Sequence, residues 1–337
     1  MSDPQHRDRD RAWRKGTAAA GLAVIAALIV APAAPAAAIA RGQNAPVGKY
    51  PFAVKIIDNG IPTADGGTRD SACSGGLISP SWILTAGHCF RDVNGKHVSR
   101  TVAEETIAVI NRADLTTDEG HELNIVAVKQ NKKADVALAK LEEPVFDVAP
   151  MVLTRKAPKV GSTVRLTGYG FTSRNAKKLP QRMQTGTFEV TSVGDIEIGM
   201  EGKAPHANTS ACEHDSGGPY FTEAADGTVT VVGVVSHGPS CPHTGADAAG
   251  RIDNILPWIK SVVGKDLNRP SPSPSPSPSA SARASTVAAP APTTAGFTVP
   301  KAAWVAVPVG GVAVIGAAVA AATRRSRRRE DAFRHRR

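Results

Sequence analysis

The sequence predicts an all-β exported domain, a sandwich or a barrel, with one helix at its end. Short runs rich in β-branched and aliphatic residues recur along residues 39–268: 52–57, 82–85, 106–110, 124–128, 136–141, 163–167, 187–193 and 228–236. Clusters such as Asp58-Asn59-Gly60 and Asp226-Gly227 separate them as turns. No long helical periodicity alternates with these runs, which excludes a βαβ architecture. Only Ile255, Ile259, Val262 and Val263 fall on one helical face, with Pro257 placed where a first turn accepts it.

Ahead of this domain, Arg11, Arg14 and Lys15 precede an uncharged run from Thr17 to Ala38 that ends in Ala36-Ala37-Ala38. A basic start, an apolar middle and small residues at the end read as a secretory signal over residues 1–38. Pro32 and Pro35 argue against the alternative, an uncleaved helical anchor. Behind the domain, residues 269–300 are rich in Pro, Ser and Ala, with strict Pro-Ser alternation at first, and cannot bury a core. They read as a linker, extended at about 3.1 Å per residue where proline alternates. Residues 301–323 read as a transmembrane helix. The 22 uncharged residues from Ala302 to Thr323 reach about 33 Å as a helix, against a hydrocarbon core of about 30 Å. The alternative is a sorting segment that is later removed. The arginines that open residues 324–337 keep that tail cytoplasmic, so the domain faces outward.

Net charge supports this division. Of the +10 on the 337 residues, residues 1–16 carry +2 and residues 324–337 carry +6, while residues 39–270 balance 25 basic against 25 acidic groups. A nucleic-acid-binding domain is therefore excluded. Cys73, Cys89, Cys212 and Cys241 all lie in the exported part, where oxidation favours disulfides, with three pairings open. A metal site would have to recruit His237, Cys241 and His243, whose spacing matches no ligand pattern, so no metal is assigned.

Three stretches carry chemistry. Leu84-Thr85-Ala86-Gly87-His88-Cys89 supplies a histidine, Ala134-Asp135-Val136-Ala137-Leu138 an acid at the start of an apolar strand, and Cys212-Glu213-His214-Asp215-Ser216-Gly217-Gly218-Pro219 a serine in a glycine-rich bend. A serine hydroxyl needs a base that titrates near neutral pH, which histidine supplies. An aspartate fixes the imidazole tautomer, and amides of the serine bend can hold an oxyanion.

Residues 39–264 resemble the chymotrypsin and trypsin family of serine proteases, in the chain order His, Asp, Ser. Tyr50-Pro51-Phe52, Gly168-Tyr169-Gly170 and Val235-Ser236-His237-Gly238 add to the match. The resemblance implies two antiparallel six-stranded β-barrels with a C-terminal helix. It implies a peptide-hydrolysing site made of His88, Asp135 and Ser216, working through an acyl-enzyme on a protein or peptide substrate, as a monomer without a cofactor. It further implies bridges Cys73–Cys89 and Cys212–Cys241, an oxyanion hole from the amides of His214 and Ser216, substrate-aligning residues Ser236 and Gly238, and a bond from Ser236 to Asp135. By the same resemblance, signal cleavage after Ala38 frees an Ile39 ammonium to pair with Asp215 and activate the enzyme.

Two departures from the family pattern matter. His214 stands where the family has glycine, and a side chain restricts the backbone there. The alternative function rests on this: a catalytically weak or inactive protease-like module that binds at the cell surface. The resemblance implies that Ser210 stands at the floor of the specificity pocket, where it suits apolar side chains, and that Asp247 on the wall, with Glu213 at the rim, selects basic ones; the alternative for Asp247 is an exposed loop acid. Together these features describe a serine endopeptidase tethered to the outer face of a bacterial membrane.

Overall fold

The computed structural model describes residues 39–268, so the expected signal (1–38), linker (269–300), span (301–323) and tail (324–337) lie outside the described residues. Fourteen strands form: β1 (Gln43–Asn44), β2 (Ala53–Pro62), β3 (Thr68–Ser79), β4 (Trp82–Thr85), β5 (Glu105–Ile110), β6 (His121–Gln130), β7 (Ala137–Leu141), β8 (Val152–Leu153), β9 (Thr163–Gly168), β10 (Gln184–Val193), β11 (Glu197–Ala204), β12 (Pro219–Glu223), β13 (Val229–His237) and β14 (Asp247–Arg251). One helix, α1 (Leu256–Val263), follows, and among the described residues no helix is long and apolar enough to cross a membrane.

The strands close into two barrels. The first runs β2-β3-β4-β7-β6-β5 and back to β2. In the second, β9, β10, β11, β14, β13 and β12 form a ring closed by the β12–β9 pairing, with β1 beside β10 and β8 beside β13. Closure leaves neither six-stranded ring with an open edge. Alternation along β2, where Val54 and Ile56 are fully buried and Lys55 and Ile57 half-exposed, shows why these sequences curl around a core.

Asp58-Asn59-Gly60 is not the turn that its composition suggests. It lies inside β2 at a register shift between Asp58 and Ile61, with Gly60 at φ 73°, so the chain bulges rather than reverses. Asp226-Gly227 does turn, joining β12 to β13. Pro257 falls in the first turn of α1, as expected, and Ile259 and Val263 are buried. They belong to the same apolar cluster as Leu77, Ile83 and Leu138 of the first barrel, so the C-terminal helix returns to the barrel that the chain built first. Asp266 fastens this return by accepting bonds from the Ser79 hydroxyl (2.7 Å) and the Ser81 amide (3.0 Å).

Candidate active site

His88 sits in a 3₁₀ turn, Gly87–Phe90, directly after β4. Phe90 anchors the turn in the core, and the Cys73–Cys89 disulfide ties it to β3. Asp135 ends the β6–β7 loop, which Asn131 shapes by accepting the Lys133 and Ala134 amides on its side-chain oxygen, both at 2.9 Å. Such a side-chain-to-backbone turn is a local habit of asparagine.

The Asp135 carboxylate collects three donors. Oδ2 lies 2.7 Å from the His88 Nδ1 and accepts the Ser236 hydroxyl at 2.6 Å, while Oδ1 accepts the His88 amide at 2.8 Å. Burial pushes the carboxyl upward, but the bonds and charge of His88 and the bond from Ser236 outweigh it and bring it to about 2. Asp135 therefore stays ionised and holds the histidine ring with Nδ1 protonated and Nε2 turned away from it.

Ser216 lies in the bend between Cys212 and β12. The Cys212–Cys241 disulfide closes one side of the bend, and the Asp215 amide donates to the Cys212 carbonyl at 3.0 Å. Gly217, at φ 82°, is required here: a Cβ would collide with the Thr85 hydroxyl and the Ser74 carbonyl. That close approach lets the Ser74 amide donate to the Ser216 carbonyl at 2.8 Å, so the serine bend of one barrel is sewn to a strand of the other. Among the described residues no hydrogen bond joins the His88 ring to the Ser216 hydroxyl, and catalytic contacts of this kind commonly tighten only when substrate arrives. The amides of His214 and Ser216 donate to no described residue, so two N–H groups flank Asp215 uncommitted.

His214 occupies the position of the missing glycine with a φ of 73°, a left-handed conformation that costs an L-residue about 1 to 2 kcal/mol. The ring offsets part of this: Nδ1 donates to the Ala72 carbonyl at 2.7 Å, and its edge meets Phe171 with centroids 4.8 Å apart. Ser74 adds a further tie, its hydroxyl donating to the His214 carbonyl and accepting the Tyr169 amide, both at 3.0 Å. Neither Ala72 nor Phe171 carries a signal in the sequence, since each joins His214 only through the fold.

A cavity of about 370 Å³ opens beside Ser216, and Glu213, Ser236, Gly238 and Asp247 line it. Arg174 lines it too, an exposed cation on the β9–β10 loop that no sequence signal marks. Ser210, expected at the pocket floor, is buried and is not among the residues that line this cavity; its hydroxyl accepts the His243 amide at 3.3 Å. Asp247 accepts the Ala211 amide at 3.0 Å on Oδ2 and meets His243 Nε2 at 3.0 Å on Oδ1. Burial raises its carboxyl, and the Ala211 bond and His243 only partly reverse that. Gly238 must lack a side chain because a Cβ would strike Asp247 Oδ1.

Asp215 is fully buried, its oxygens taking the Gly170 amide at 2.8 Å and the Cys212 amide at 2.9 Å. Burial drives it up to about 7; the two amides lower it and Asp247 raises it. Ile39 is also fully buried, packed in the core of the second barrel with Val164, Leu166 and Tyr220. The Ser210 amide donates to the neighbouring Ala40 carbonyl at 3.1 Å.

Two closed barrels, with a His–Asp couple on one and a serine bend on the other, define the class of serine peptidases that this arrangement serves. Residues 39–259 match the family model described as trypsin, and the chain belongs to the trypsin family. Over 250 residues, 67% of this chain, it is 26% identical to the serine proteinase stubble of Drosophila melanogaster. It spans about a third of the length of that curated relative, 31%.

Proposed function

We propose that the chain is a serine endopeptidase in which Ser216 attacks the substrate carbonyl, His88 takes its proton and returns it to the leaving amine, and Asp135 orients and stabilises the imidazolium. The oxyanion forms against the amides of His214 and Ser216. The observation that carries this reading is the Asp135 carboxylate, which receives the backbone amide and the ring Nδ1 of His88 and the Ser236 hydroxyl, while Ser216 lies across the seam beside two uncommitted amides. Asp247 gives the cavity an acidic wall and favours a basic side chain before the scissile bond. The test is labelling with a serine-directed fluorophosphonate, comparing the wild type with Ser216→Ala. Label in the wild type alone supports hydrolysis; partner capture with no label identifies a protease-like binding module instead.

Activation follows from the same surroundings. Among the described residues no cation pairs with this buried carboxyl, held near 7, and an ammonium on Ile39 would supply one. Cleavage after Ala38 would therefore yield active enzyme directly. N-terminal sequencing decides it: a terminus at Arg41 removes the switch.

The two disulfides fit an oxidising, extracellular setting. Residues 1–38 would direct export, residues 269–300 would hold the domain away from the membrane, residues 301–323 would anchor it in a bacterial membrane, and residues 324–337 would remain cytoplasmic. Membrane fractionation with external protease digestion checks this topology. Release of the whole chain into the medium would refute it.

A further inference from the structure

We propose that His243 is a specificity-determining residue, which by sharing a proton with Asp247 sets whether the substrate cavity presents a negative charge or none. The inference rests on the peptidase reading and deepens it. Three observations support it. His243 Nε2 lies 3.0 Å from Asp247 Oδ1. The pair is almost sealed, with side chains 10% and 3% exposed, yet Asp247 lines the cavity. The ring's other nitrogen, Nδ1, is buried and finds no partner among the described residues. A structural histidine would normally satisfy both nitrogens.

When the pair holds one shared proton in addition to the imidazole's own, imidazolium and carboxylate cancel and the cavity wall is neutral. When that proton is lost, a neutral imidazole donates from Nε2 to an ionised Asp247, and the wall carries one negative charge. Strongly interacting groups of this kind titrate as a unit, and the interval from pH 5 to 8 is where a histidine changes charge. A cationic substrate side chain therefore gains from rising pH, and an uncharged one does not.

Other groups face the pair or its cavity, and each has a distinguishable effect. The Tyr220 hydroxyl, from β12, is buried beside Asp247. Asp215 lies on the serine bend and feels Asp247 electrostatically, but its titration alters the oxyanion site for every substrate alike. Arg174 and Glu213 stand at the cavity with opposite charges. His237 on β13 also lines the cavity, 3.8 Å from Glu197, and serves as the control histidine.

The experiment uses two peptide substrates identical except for arginine or citrulline before the scissile bond, which match in shape and differ in charge. The ratio of their kcat/KM values cancels every pH effect that the two substrates share. For the full-length protein the ratio should rise about tenfold or more from pH 5.5 to 8, within the range of roughly 5- to 150-fold usual for two coupled binding events. His243→Gln, which removes a group that holds the Asp247 carboxyl down, should move the rise in the ratio to higher pH, Asp247→Asn should hold the ratio low and flat, and His237→Gln should leave slope and midpoint intact. A flat ratio in the wild type, or a rise whose midpoint stays put in His243→Gln, overturns the proposal. Binding of the fluorescent cation para-aminobenzamidine to Ser216→Ala gives a second readout without turnover. Its affinity should tighten with pH by a similar factor, and the tightening should move to higher pH in Ser216→Ala/His243→Gln. Hydrolysis of neither substrate alongside pH-dependent binding would refute the peptidase reading and keep this one; binding that ignores pH would do the reverse.

Discussion

Among the described residues, two buried or half-buried His–Asp pairs are alike in composition and in nitrogen–oxygen distance, 2.7 and 3.0 Å, and behave in opposite ways. In His88–Asp135, three donors converge on the carboxylate and its pKa falls to about 2. In His243–Asp247, one amide and one ring nitrogen contact a more deeply buried carboxylate, and its pKa rises. Burial pushes both carboxyls up; at Asp135 the bonds and charge of His88 and the bond from Ser236 outweigh it, whereas at the more deeply buried Asp247 its partners do not. The first pair thus keeps its charge and can steady an imidazolium, whereas the second can hold or release a proton.

Substitutions should separate the pairs sharply. Ser216→Ala or His88→Ala should lower kcat by about 10⁶-fold, whereas His243→Ala should leave turnover of an uncharged substrate within about tenfold, measured by steady-state kinetics. Asp135→Asn should cost about 10⁴-fold, the established size of this change in the family's reference triad; Asp247→Asn should alter only the preference for charged side chains. A comparable loss in both would erase the distinction.

Next in size is the oxyanion loop. His214→Ala keeps the amide but removes the ring's anchors at Ala72 and Phe171, and should lower kcat by about 100-fold as the amide drifts from its position. His214→Gly should recover most of it, because glycine accepts a φ of 73° without strain. If both variants lose equally, the ring contributes through something other than backbone conformation.

The smallest effects are in stability against pH. Asp135 has a lower pKa folded than unfolded, so the stability it contributes is present above about pH 4 and is lost as pH falls toward 2, amounting to about 2 kcal/mol. Asp247 has a raised one, so its effect has the other sign, stability declining as pH rises above the unfolded value. Thermal unfolding should therefore show the acid limb flattened in Asp135→Asn and stability near neutral pH improved in Asp247→Asn relative to wild type.

Strands whose residues alternate or run β-branched, such as β4, β9 and the middle of β13, are legible in sequence with their bounds nearly right. β3, β11, β12 and β14 are not. β3 contains Ser71-Ala72-Cys73-Ser74-Gly75-Gly76 and β14 contains Asp247-Ala248-Ala249-Gly250, compositions that favour turns. Their extended form comes from neighbours: Gly75 and Gly76 are small because Ile83 and Met151 crowd them, and Gly250 because Val136 does. The residues that carry chemistry stand out because their types are scarce and their order is informative. The supports of His214 and the partner of Asp247 are hidden, since Ala72, Phe171 and His243 mean nothing until distant segments meet.

The stitches across the seam have one further consequence. Ser236 reaches Asp135, and Ser74 reaches both Ser216 and His214, in each case from one barrel to the other. Beneath these bonds lies an apolar core that both barrels share, Phe52 and Leu77 of the first packed in one cluster with Phe221 and Val234 of the second. The polar stitches align the catalytic groups while the shared core holds the barrels together, so low concentrations of urea should dim activity before circular dichroism changes.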